Sequence, residues 1–143
     1  MQIEHLVIQN KMENSQQQAY MELELVNQQL SQIEQSMNIT EDQILQLENA
    51  KNSLEGLKQG SEEIFFPLSP GISVSVGKVD LEKIKVAVGS QIIVDKSFED
   101  TLKVIETHLI KFKEHKQKLI DIFDKISLKA IKLQSEIEKN QQV

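Results

Sequence analysis

The chain has no cysteine, no arginine and no tryptophan among its 143 residues, and only two prolines and five glycines. Without cysteine there is no disulfide, thiol nucleophile or thiolate-bound metal, a composition suited to a reducing compartment. Without arginine, the side chain that grips phosphate and guanine bidentately is missing, and the formal net charge is −6. Nucleic acid is therefore not an expected partner. Aromatics make up only 4% of the residues, too few for the core that a compact domain of this length builds. No apolar run approaches the roughly 20 residues of a membrane span. The opening "MQIEHLVIQNK" lacks the basic lead and cleavage site of a secretory signal. The expectation is a cytoplasmic chain without membrane association.

What remains is rich in Gln, Glu, Lys, Leu and Ile, the palette of long solvated helices. Apolar residues recur at alternating intervals of three and four in two arms. The first is Leu23, Val26, Leu30, Ile33, Met37, Thr40, Ile44, Leu47, Lys51 and Leu54. The second is Leu102, Ile105, Leu109, Phe112, Lys116, Leu119, Phe123, Ile126, Ala130, Leu133 and Ile137. Sustained over so many turns, this repeat predicts a coiled coil rather than a single amphipathic helix in a compact bundle. Gly60 reads as the C-terminal cap of the first arm and Ser97 as the N-cap of the second. "TEDQ" from Thr40 to Gln43 has the form of a capping box, but the heptad phase passes through it and predicts one helix.

Between the arms the chain writes strands. Ile64–Leu68, Ile72–Val76, Lys83–Val88 and Gln91–Asp95 are four short β-like runs. Pro70-Gly71 suits a type II turn, and Gly89-Ser90 a tight one, giving two hairpins. Pro67 predicts an edge position, since proline cannot donate to a ladder. Both helices leave the same end and pair with each other, so the hairpins expect no cover from the rest of the chain. Open edges and a bare apolar face call for other chains. Ile72, Val74, Val76, Ile84, Val86, Val88, Ile92 and Val94 are the expected oligomerisation residues.

If the strands close a hairpin, the arms run antiparallel, and opposed residues carry numbers adding to about 156 at equal rise. Thr40 then falls opposite Lys116, a polar layer that would fix the register. The paired stretch would be about 70 Å long. Under this register about the first dozen residues overhang the second helix. The overhang holds Ile3, Leu6, Val7, Ile8 and Met12, the first four out of heptad phase; Leu128 and Ile131 also lie off the seam. These residues are either a frayed terminus or a sticky tip that binds other proteins.

Chemistry is scarce. His108 and His115 are seven apart, about 10 Å along a helix, and the i,i+4 pair of helical zinc sites is missing. "GISVSVGKV" departs from a phosphate-binding loop in spacing, in its final Val79, and in lying on strands. The carboxylates fall on solvated helical faces. No catalytic, metal-binding or cofactor-binding residue is expected, and the chain does not read as an enzyme.

The stretch "EGLKQGSEEIFFPLSPGISVSVGKVDLEKIKVAVGSQIIVDKSFED" resembles the prefoldin family in its helix-end glycine, its "PL" and "KVAVG" strands and its acidic-basic exit into the second helix. Two hairpins rather than one are similar to the alpha class of that family. The sequence departs from the family pattern at Ser69, Gln91 and Ile92, where glycine or an aromatic is frequent. The resemblance implies an archaeal-type α+β fold: one domain over residues 1–143, with helix 1 at 1–59, a double β-hairpin assembly region at 62–96 and helix 2 at 97–143. It also implies an oligomeric β-barrel platform of two alpha and four beta subunits. Coiled-coil tips would hold unfolded client proteins without ATP for transfer to a group II chaperonin. A structural coiled-coil adaptor that binds a folded partner is the alternative. A coiled coil that inserts into an enzyme channel would need acidic residues where this chain has strands.

Overall fold

Two long helices flank the strands along the sequence in a computed structural model that describes residues 1–60 and 64–141. The order is α1 (Gln2–Lys58), β1 (Ile64–Ser69), β2 (Ile72–Val76), β3 (Ile84–Gly89), β4 (Ile92–Lys96) and α2 (Phe98–Gln141). The expected start of the assembly region at 62, and the last two residues of helix 2, lie outside the described residues. Helix α1 continues through Thr40, whose hydroxyl donates to the Ser36 carbonyl at 2.8 Å, one turn back. Its side chain bonds within the helix instead of capping a new one.

The chain forms two units, Met1–Glu41 with His115–Val143, and Asp42–Glu114. In each, α1 and α2 run antiparallel, and the positions of the three-four repeat are all buried or half-buried. In the first unit Val26, Thr40, Leu133 and Ile137 are buried; in the second Ile105 and Leu109 are. In the second unit Lys51 pairs with Glu106 and Lys58 with Glu99. One heptad forward on α1 is one heptad back on α2, as antiparallel helices of equal rise require. The Lys58 ammonium also lies 4.4 Å from the centre of the Phe98 ring, closing the strand end of that helix pair.

The helix ends explain where the helices stop. A Cβ at Gly60 would come 2.9 Å from the Leu57 carbonyl oxygen, so only glycine passes here without a shift. Ser97 caps α2: its hydroxyl oxygen accepts from the Asp100 amide at 3.2 Å. Its carbonyl takes both the amide and the hydroxyl of Thr101.

The strands form two separate antiparallel hairpins, β1–β2 and β3–β4. Asp80 accepts from the Glu82 amide at 3.0 Å and so turns the link between them. Gly71, at φ +80, completes the turn begun by Pro70, as a type II turn requires. The second turn differs from the expected Gly89-Ser90. Its central residues are Ser90 and Gln91, both at positive φ (47 and 63), while Gly89 at φ +112 ends β3 where the register shifts. The glycine serves the bulge, and two ordinary residues are left in the left-handed region. Such residues cost about 1–2 kcal/mol each there, a cost that glycine and asparagine largely escape. Ser90→Asn with Gln91→Gly is therefore expected to stabilise the hairpin by about 1 kcal/mol. That would raise the melting temperature by roughly 2–4 °C in circular dichroism. An unchanged or lower melting temperature would show that the turn is not strained.

Candidate functional site

The first candidate surface lies on the strands of the second unit. In β1–β2, Phe66 pairs with Val74 and Ile64 with Val76, so these four share a face, whereas Phe65 and Pro67 stand opposite Ser75 and Ser73. Nothing covers most of it: Phe65, Phe66, Leu68, Ile72 and Val74 are all exposed, Phe66 at 60%. Ile64 and Val76 are half-buried.

The β3–β4 hairpin behaves differently and corrects the expectation that the helices leave both hairpins bare. Val86 pairs with Val94, and Ile84 with Lys96; all four are half-buried. Ile84, Val86 and Val88 line a cavity together with Leu47, Leu54, Val104 and Ile105 of the helix pair. The physical reason is that the seam leaves Leu54 and Val104 half-buried at the strand end, and one hairpin face folds onto them. Val88, Ile92 and Ile93 remain exposed, Ile93 at 63%. On the outer face Lys85 pairs with Asp95.

Sequence reasoning missed Phe65, Phe66, Leu68 and Ile93 as surface apolar residues of this region. Alternation marks β2, where serine separates valines. "IFFPL" has no alternation, so its faces appear only when β2 supplies the register.

The second candidate surface lies in the first unit. Every residue from Met1 to Ser15 is exposed although α1 is helical from Gln2. Ile3 is 77% exposed, and Leu6, Val7, Ile8 and Met12 are between 49% and 59% exposed. At about 100° per residue, Ile3, Leu6 and Val7 share one side of the helix, while Ile8 and Met12 project on the other. Asn140 lies beside Ile8 and Met12, and Gln141 donates to the Tyr20 hydroxyl at 2.7 Å. Leu128 and Ile131 on α2 are about as exposed as Leu6, at 61% and 62%.

In the same unit, Thr40 is buried and Lys116 half-buried. The Lys116 ammonium reaches Glu41, the neighbour of Thr40, at 2.7 Å. His108 and His115 are exposed. Among the described residues no group of His, Asp and Glu could hold a metal ion, and no helix is long and apolar enough to cross a membrane.

In line with two long helices and two β-hairpins between them, the family model described as "Prefoldin subunit" matches residues 26–143. The chain belongs to the prefoldin family. Its relatives include a prefoldin subunit alpha of Methanococcus vannielii, 28% identical over 84% of this chain and 82% of that one. A prefoldin subunit alpha of Methanococcus maripaludis is 30% identical over 58% of this chain and 57% of its own length. Among solved structures, the cryo-EM structure of filamentous PFD from Methanocaldococcus jannaschii has the same fold. Its TM-score is 0.67 at 21% identity, over 80% of this chain and 96% of that one. The fold is thus the prefoldin fold, with two hairpins between the helices and an archaeal-type alpha likeness. Prefoldins are chaperone subunits, and this chain is a subunit of that kind.

Proposed function

We propose that this prefoldin holds unfolded proteins at the exposed end of α1, without ATP, and delivers them to a group II chaperonin in the cytoplasm. The whole of 1–143 acts as one domain, with the strands as the assembly region. Two copies join four beta subunits through Ile72, Val74, Val76, Val88 and Ile92, which line or border the hairpin faces. Ile84, Val86 and Val94 support that platform from the side that packs on the helices. Thr40 and Lys116 fix the register of the helix pair. Clients meet Ile3, Leu6, Val7, Ile8 and Met12, with Leu128 and Ile131 alongside on α2.

The observation that carries this reading is the exposed run from Met1 to Ser15, helical from Gln2, with its six apolar side chains. Unfolded chains display scattered apolar segments, and a solvated helix with apolar side chains on both sides offers them weak, sequence-tolerant contacts. The test is a light-scattering assay of an aggregating client with the complex reconstituted from this chain and a beta-type subunit. Stoichiometric suppression is expected, unchanged by ATP, followed by transfer of the client when chaperonin is added. Failure to suppress aggregation, or suppression only with ATP, would overturn the reading.

A further inference from the structure

Sulfur in this chain is confined to four methionines, because cysteine is absent. A peroxide that reacts at sulfur therefore has only thioethers to attack. The four are not equally open. Met1, Met12 and Met21 are exposed near the start of α1, whereas Met37 is half-buried in the seam.

Among the exposed three, Met12 has the place that matters for binding. Stepping back from Leu23 by the same fours and threes gives Ala19, Gln16 and Met12. Ala19 and Gln16 are half-buried, but Met12 is 49% exposed. The reason is local: Asn140, in the last turn of α2, lies beside Met12 and Ile8, so the described part of the partner helix ends here. Met12 keeps the phase of the seam and loses its cover. Its flexible, polarisable side chain suits contact with apolar segments of varied shape. Ile8, one turn before it on α1, extends the same apolar surface.

We propose that Met12 is a site of reversible oxidation, at which a peroxide weakens the hold on clients. A sulfur lone pair attacks one peroxide oxygen, the O–O bond breaks and an S–O bond forms. With hydrogen peroxide, the second oxygen leaves as water with both protons; sulfur gives up two electrons and the peroxide takes them. A dithiol reverses the step through methionine sulfoxide reductase: the oxygen leaves as water and the thiols become a disulfide. The sulfoxide is polar, so the apolar surface at Ile8 and Met12 is interrupted. The seam is spared, because its own methionine is the half-buried Met37. This site is part of the client surface proposed above, and the inference rests on that reading.

The test uses the complex reconstituted from the full chain and a beta-type subunit, treated with hydrogen peroxide and then quenched. Fragmentation of the tryptic peptide 12–51, which carries Met12, Met21 and Met37, should place oxygen on Met12 and Met21 well before Met37. Once Met12 is fully converted, the concentration of complex that halves client aggregation should rise at least about twofold, a small part of the 10²–10⁴ that joined tips supply. The two methionine sulfoxide reductases, one for each epimer, should return it to the starting value. Variants are read as the ratio of treated to untreated complex, which removes any effect of the substitution itself. M12L should lose much less than wild type, and M21L as much as wild type; all three share any oxidation of the beta-type subunit. Equal losses in M12L and wild type, or a Met12 that oxidises no faster than Met37, would overturn the site. Holding that survives full conversion of Met12 overturns only this inference. A complex that holds nothing before peroxide is added overturns the proposed function as well.

Discussion

Phe66→Lys with Val74→Lys should abolish assembly of this chain with its partner subunits while leaving its helices intact. The two residues are cross-strand partners in β1–β2 and are 60% and 45% exposed in the single chain, so the substitutions cost the chain alone little beyond this one pair. In the proposed platform the same positions would become buried. Each then loses about 1.5–3 kcal/mol of apolar burial and adds a charge whose desolvation costs several more. At about 1.4 kcal/mol per tenfold, even 4 kcal/mol weakens association roughly a thousandfold. Size-exclusion chromatography with light scattering should show the free chain, and circular dichroism should show unchanged helix content and melting. Val86→Lys is the informative contrast. Val86 lines the cavity with Leu47, Leu54 and Ile105, so a charge there should lower the melting temperature of the chain itself. A lysine pair at Phe66 and Val74 that still assembles would move the interface elsewhere, to Ile93 or to the free strand edges.

That contrast marks the boundary of what the sequence made legible. The coiled coil was readable because a three-four repeat has one geometric consequence, a narrow seam, and burial follows it from Leu23 to Leu54 and from Leu102 to Ile137. The repeat also outranked the local signal at Thr40, where a capping pattern sits inside an unbroken helix. The strands and the first turn were readable for similar reasons, since serine alternation and Pro70-Gly71 are local rules. Two features escaped. Glycine marks a position that needs unusual backbone, but not whether a turn or a bulge needs it, so the β3–β4 turn lay one residue beyond the expected place. The packing of β3–β4 on the helix pair depends on which tertiary surface lies nearby, and alternation within Ile84–Val88 carries no trace of that. At the other surface, the off-phase residues of the first dozen positions signalled exposure, because apolar side chains outside the seam have no partner helix to meet. Their arrangement on two opposite sides of α1 follows from the same spacing.

Replacing Ile3, Leu6, Val7 and Ile8 by serine should remove most of the holding activity and almost none of the stability. All four are exposed, so the folded chain loses little packing; the rest of the cost is the slightly lower helix propensity of serine. For a client the loss is larger. Each apolar side chain contributes about 1.5–3 kcal/mol if fully buried and less in a wet contact. Several tips on one platform multiply weak contacts into avidity of about 10²–10⁴, and weakening every tip at once collapses that factor. The concentration of complex needed to halve client aggregation should rise at least about tenfold, well within that range. Oligomer mass and melting should stay near wild type. Because the apolar residues occupy two sides of α1, serine at Ile3, Leu6 and Val7 alone, or at Ile8 and Met12 alone, should each give a partial loss. Leu47→Ala with Leu109→Ala should behave in the opposite way, lowering the melting temperature first and the holding activity only as a consequence. If the four-serine variant protects the client as well as wild type at equal concentration, α1 is not the holding site. The client would then bind to the exposed apolar residues farther along the helices, such as Met21, Leu25 and Ile39.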